Sequence, residues 1–129
     1  MYQIAEGLFQ APACTVNTLP DVDVIFWCCG GSHPIPEFGK QVVIDYSFND
    51  DPNGTDPETY ANLKTLAKFV RNQRVLTVCQ AGQNRSGLVS ALILKARGFT
   101  TEQAISTVQA QNGALWNPGF LGQLRGLNG

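Results

Sequence analysis

What this chain lacks narrows the field before any motif is considered. It has one histidine, His33, in a Gly-Gly-Ser-His-Pro-Ile-Pro stretch that reads as a loop. His33 is therefore expected to be a solvated loop residue and not a catalyst. Its four cysteines, Cys14, Cys28, Cys29 and Cys79, show no repeated Cys-x-x-Cys pairing of a metal site. The adjacent Cys28-Cys29 is also poor spacing for a disulfide framework, so an intracellular, reduced, cytoplasmic protein without metal or cofactor is expected. A net charge of −1 and a pI of about 5.7 leave no electrostatic footprint for nucleic acid or an anionic membrane. No apolar run is long enough to cross a bilayer, residues 1–6 lack the pattern of a signal peptide, and no lipidation motif is visible. Repeats, linkers and low-complexity tracts are missing too, so residues 1–129 are expected to form one domain and a monomer.

What is present is ordinary globular composition, 43% hydrophobic and 15% charged, with length enough for one core. Strand-like runs occupy residues 7–11, 22–29, 41–45 and 75–78, the second nearly all apolar after Asp23 and so expected to be central. Asp56-Pro57 reads as an N-cap with proline at the first helical position, opening a helix to about residue 72. Tyr60, Leu63, Leu66, Ala67 and Val70 share one face of that helix; Lys64, Lys68 and Arg71 share another, expected to be solvated. A second helix is predicted over 86–97 with Gly98 as its stop, and a third after Thr100 or Thr101, around Ala104, Ile105 and Val108. A last one is predicted over 118–127. Trp27 and Trp116 are both expected in the core. The pattern predicts an α/β fold: a small, largely parallel central sheet flanked by helices.

The most informative segment is Cys79-Gln80-Ala81-Gly82-Gln83-Asn84-Arg85-Ser86, between the run Val75-Leu76-Thr77-Val78 and the helix pattern that follows. A loop closing onto a helix N-terminus can turn several backbone N–H groups inward and bind an anion. The helix end and Arg85 would both favour a thiolate at Cys79.

This segment resembles the signature loop of the cysteine-dependent protein tyrosine phosphatases, Cys-x5-Arg-Ser/Thr, and its Ala81-Gly82 and Ser86-Gly87 variant is most similar to the dual-specificity branch. Residues 98–124, with Gly98-Phe99-Thr100 and Asn117-Pro118-x-Phe120, resemble the family's C-terminal end more loosely. The resemblance implies that Cys79 attacks phosphorus to give a cysteinyl-phosphate. Arg85 would grip two phosphoryl oxygens with its planar fork, and the amides of Gln80, Ala81, Gly82, Gln83, Asn84 and Arg85 would complete the cradle. Ser86 would donate a hydrogen bond to the sulfur and ease its departure. Fixed dipoles and one guanidinium would balance the phosphate without a metal.

The family also requires an acid, an aspartate on a mobile loop about thirty residues before the cysteine. Asp50 precedes Cys79 by 79 − 50 = 29 positions and Asp51 by 28. The aromatic-x-Phe-x-Asp pattern from Tyr46 resembles the family's acid loop and aligns Asp50 with the acid, leaving Asp51 as the alternative; Asp45 would cap or brace. One departure stands out: Val78 occupies the position where the family usually has histidine. A weaker or alkaline-shifted enzyme is therefore expected, and a phospho-residue-binding pseudophosphatase is one alternative. Some family members guard the oxidised nucleophile with a second cysteine, which here implies a Cys28–Cys79 or Cys29–Cys79 disulfide under peroxide. Gln80, Gln83 and Asn84 are neutral, where lipid-directed relatives carry lysines, so a polyphosphoinositide loses support. Phosphotyrosine, with phosphoserine or phosphothreonine, is the substrate class implied, on a protein or a small phosphomonoester; an RNA 5′-phosphatase is the other enzymatic alternative.

Overall fold

Five short runs rich in β-branched, aliphatic and aromatic residues pair into one sheet: β1 (Tyr2–Ala5), β2 (Leu8–Pro12), β3 (Val24–Trp27), β4 (Val42–Asp45) and β5 (Val75–Cys79). Among the described residues four helices follow or intervene: α1 (Pro57–Val70), α2 (Asn84–Ala96), α3 (Thr101–Gln109) and α4 (Pro118–Arg125). The computed structural model describes residues 2–13, 21–29, 39–111 and 113–126; Cys14, the loop carrying His33, and Leu127 lie outside them.

The strand order is β1-β2-β5-β3-β4, and only the β1–β2 pair is antiparallel. The last strand in sequence thus sits in the middle, between β2 and β3 and parallel to both. All five of its residues are buried, as expected for a strand covered on both faces. Its C-terminal end delivers Cys79 to the edge where parallel α/β sheets place ligands.

Side chains alternate along these strands and sort into two clusters. Val75 and Cys79 of β5 join Leu8, Val24, Phe26 and Cys28 in the main core, with all four helices packed on that face. Leu76 and Val78 point the other way and meet Ile25, Trp27 and Cys29 in a smaller cluster. In α1, Leu63, Ala67 and Val70 recur at helical spacing and are buried. Full burial of a side chain the size of Leu63 or Val70 stabilises by roughly 1.5–3 kcal/mol. Lys64, Lys68 and Arg71 lie on the exposed side, as the pattern predicted.

Three differences from the sequence reading matter. An unforeseen strand, Tyr2–Ala5, pairs with β2 through a tight turn in which Gly7 adopts φ +66°; the glycine makes a hairpin where the pattern showed only a strand start. Helix α2 begins at Asn84, two residues earlier than predicted, which places Arg85 in its first turn. Trp27 is buried as expected, but Trp116 is 60% exposed, because Leu115 takes the buried place beside it. Leu115 does so with φ +61°, the one non-glycine residue in the left-handed region among the described residues.

Candidate active site

Helices α1, α3 and α4 each begin with a side-chain cap, from Asp56, Thr100 and Asn117. Helix α2 does not: Gln83 precedes it without a side-chain cap. Its first-turn amides are therefore left to the loop 79–86 and whatever the loop binds. At the start of that loop Cys79, only 2% exposed, lies with its Sγ 3.2 Å from Ser86 Oγ. A hydroxyl at this distance can donate to a thiolate.

The loop is held from behind. Gly82 adopts φ +69°, and a Cβ there would stand 2.5 Å from Pro12 N and 2.8 Å from Ala11 C, so the backbone of β2 leaves room for hydrogen only. Gln10, buried in β2, donates from Nε2 to Gly82 O at 2.9 Å and accepts from Ser90 Oγ at 2.8 Å. Ser90 lies 2.8 Å from Thr77 Oγ1, which completes a buried polar chain from sheet to helix. Each group in that chain is paired, so it fixes the loop without a desolvation penalty left open.

A cavity of about 760 Å³ lies in front, lined by Arg85 and Gln80 from the loop, Cys29 after β3, and Ser47, Phe48, Asn49, Asp51, Gly54 and Thr55 from the segment after β4. Arg85 and Asp51 both line this cavity; Asp50, like Cys79, is not among its lining residues, but it contacts Asn84 at the end of the loop. Asp50 Oδ1 accepts from Asn117 Nδ2 at 2.7 Å and Oδ2 from Asn84 Nδ2 at 3.2 Å. Asp51 Oδ1 accepts from the backbone of Asn53 at 2.8 Å. Asp45 ends the edge strand β4 opposite Trp27.

Asn84 is more than a neutral loop position. Besides donating to Asp50, its Oδ1 accepts from the backbone N–H of both Trp116 and Asn117 at 2.9 Å. Helix α4 then clamps the aspartate segment. Asn117 Nδ2 donates to Asp51 O at 2.9 Å, Gln123 Nε2 donates to Thr55 O at 2.8 Å, and Thr55 N donates back to Gln123 Oε1 at 2.9 Å. A Cβ on Gly119 would fall 2.1 Å from Gly54 N, so the two backbones touch. Phe48 meets Phe120 edge to face at 6.0 Å. The segment expected from the resemblance to be mobile is thus bolted to α4 at several points. Trp116 Nε1 donates to Gln83 Oε1 at 3.2 Å, which places this exposed ring beside the loop. Gln10 and Gln123 gave little sign in the sequence beyond a lone glutamine inside the apolar strand 8–12, and Asn117 showed only in the Asn117-Pro118 pattern of the C-terminal end.

Two further thiols flank the site. Cys28 shares the main core with Cys79, and its N–H donates to Val78 O at 2.7 Å. Burial, then the neighbouring Cys79 and Cys29, push the Cys28 thiol well above the ordinary cysteine range. Cys29 is pushed up to about 11, mainly by burial, with Cys79 and Asp45 adding repulsion and Arg85 opposing it. Both remain protonated at neutral pH and so do not compete with Cys79 for phosphorus.

No protein-family model matches the chain, and no curated protein matches it in sequence. Solved structures do match it in fold. Human DUSP28 aligns at a TM-score of 0.83 with 19% identity, covering 99% of this chain and 95% of its own. DUSP15 aligns at 0.75 with 19% identity over 99% of this chain and 86% of its own. The human tyrosine phosphatase-like serine/threonine/tyrosine-interacting protein aligns at 0.72 with 22% identity over 96% and 92%. The fold is that of a small dual-specificity phosphatase domain.

Proposed function

We propose that this phosphatase fold carries a working, metal-independent phosphomonoesterase that acts on phosphotyrosine, and on phosphoserine or phosphothreonine, through a cysteinyl-phosphate at Cys79. The observation that carries the reading is the loop itself: Cys79 against Ser86 at one end, Arg85 in the cavity wall at the other, and an uncapped helix start between them. In the first step Cys79 Sγ bonds to phosphorus while the P–O bond to the leaving group breaks. Arg85 and the loop amides take the charge of the equatorial oxygens. The departing oxygen needs a proton, and Asp51 is the better donor of the two candidates. It lines the cavity, whereas both carboxylate oxygens of Asp50 are occupied by the amides of Asn84 and Asn117. Asp50 is then a positioning residue. In the second step Asp51 takes a proton from water, water oxygen bonds to phosphorus, and the sulfur leaves as a thiolate stabilised by Ser86.

The loop presents Gln80 to the cavity, and no lysine for additional phosphates, which supports a single phosphomonoester group over a polyphosphoinositide. A second reading, a phospho-residue-binding module, rests on Val78, which packs fully buried in the smaller apolar cluster in place of the usual histidine. Hydrolysis of p-nitrophenyl phosphate by wild type and Cys79→Ser, with vanadate binding measured on both, separates the two. Turnover abolished by Cys79→Ser supports the enzyme; vanadate binding without turnover in wild type supports the binding module.

A further inference from the structure

A second groove, of about 1060 Å³, runs between α1, the C-terminal half of α2 and α4. Three of the chain's four lysines, Lys64, Lys68 and Lys95, line it together with Arg125, and no aspartate or glutamate does. In a chain of net charge −1 this is a local concentration of positive charge. Arg125 is matched by Glu102, with both hydrogen bonds at 2.9 Å. Among the described residues the three lysines have no carboxylate partner. Lys64 Nζ instead sits 5.6 Å from the centre of the Tyr60 ring, and Lys95 Nζ donates to Leu124 O at 3.2 Å. Burial, and then the neighbouring Lys64, hold the Lys95 ammonium below its ordinary range.

The groove borders the phosphate cavity, with Thr55 lining both. Along α1, Thr59 faces the cavity and Lys68 the groove, nine residues and so about 14 Å apart. Extended chain covers that in about four to six residues. The floor, from Tyr60, Ala61 and Leu124, is largely apolar. The one ring there, Tyr60, is half-buried with Lys64 over one face, a poor platform for base stacking that favours a peptide over a nucleic acid.

We propose that this groove docks an acidic segment of the substrate protein, about four to six residues from the phosphorylated side chain. The inference rests on the phosphatase reading for its purpose, but not for its binding. The test compares kcat/KM for two phosphotyrosine peptides, one with Asp and Glu at that distance and one with Asn and Gln, in wild type and in Lys64→Glu/Lys68→Glu. Wild type is expected to favour the acidic peptide by about tenfold, from a few partly screened charge contacts. The double variant is expected to lose that preference while hydrolysing p-nitrophenyl phosphate at the wild-type rate. If charge reversal impairs folding, Lys64→Gln/Lys68→Gln is expected to lose most of the preference. Equal kcat/KM for both peptides in wild type overturns the proposal. A second arm needs no turnover: fluorescence anisotropy of the unphosphorylated acidic peptide on full-length Cys79→Ser, against a single-stranded RNA of equal length. Weaker peptide binding in the double variant supports the groove even if the chain proves inactive. Tighter RNA binding, reduced by the same variants, overturns it in favour of a nucleic-acid surface.

Discussion

Asn84 Nδ2 donates to Asp50 Oδ2 at 3.2 Å, and that contact ties the start of α2 to the segment carrying Asp50 and Asp51. The same asparagine receives the N–H groups of Trp116 and Asn117, so two separate stretches of chain converge on one buried side chain. The two halves of the site are therefore joined by protein contacts before any substrate arrives, which is the condition for preorganised catalysis.

The first consequence concerns the two aspartates. With phenyl phosphate, whose leaving group needs a proton, Asp51→Asn is expected to lower kcat by about a hundred- to ten-thousand-fold. Asp50→Asn replaces an acceptor with an amide facing two amide donors, and is expected to lower kcat by about tenfold by loosening the segment. Steady-state rates of the two variants decide the matter. A larger loss in Asp50→Asn would return the acid role to Asp50.

Gly119→Ala tests the clamp. Its new methyl would meet Gly54 N at 2.1 Å, so the aspartate segment must shift or α4 must back away. We expect kcat on phenyl phosphate to fall at least about tenfold while vanadate affinity, set by the loop 79–86, changes little. Equal losses in both would mean that the clamp supports the whole fold and not the acid segment.

Gly82→Ala acts on the other half. A side chain there combines a left-handed backbone with a clash against Pro12 N at 2.5 Å. Strain of this kind costs roughly 1–3 kcal/mol. Vanadate affinity should drop together with thermal stability, and a variant with wild-type affinity would show that the loop does not depend on β2.

Oxidation and alkylation report on the flanking thiols. Because Cys29 is raised to about 11, its thiol stays protonated below that pH, and iodoacetamide labelling is expected to be slow at neutral pH and to increase only as the solution becomes strongly alkaline. Cys28, raised by deeper burial, should resist longer. Under mild peroxide, Cys79 oxidised to the sulfenic acid can be attacked by the Cys28 sulfur, forming a disulfide and releasing water. Peptide mapping should find a Cys28–Cys79 crosslink that dithiothreitol reverses. Overoxidised Cys79 with no crosslinked peptide would remove this protective role.

Much of this was legible in the sequence, for definable reasons. The N-cap and proline at Asp56-Pro57, the alternation and apolarity of Val75 to Cys79, and the glycine stop at Gly98 are local signals, and each element formed where its signal lay. The hairpin strand Tyr2–Ala5 was missed because its turn hides in one glycine. Spacing does not choose between Asp50 and Asp51, and the proposal of Asp51 rests on side chains distant in sequence. They are adjacent in sequence, and what separates them is Asn84 and Asn117, 34 and 67 residues away from Asp50. Trp116 was misread because hydrophobic character alone gives no hint that Leu115 would take the buried place.

The most direct test of the central claim is intact-mass and peptide analysis of the enzyme acid-quenched during turnover of p-nitrophenyl phosphate, from about pH 5 to about pH 8. The account predicts a phosphoryl group on Cys79, accumulating further in Asp51→Asn, where activation of the attacking water is lost, and absent from Cys79→Ser. Turnover that persists in Cys79→Ser, or that proceeds with a phosphoryl group on any other residue, would contradict it.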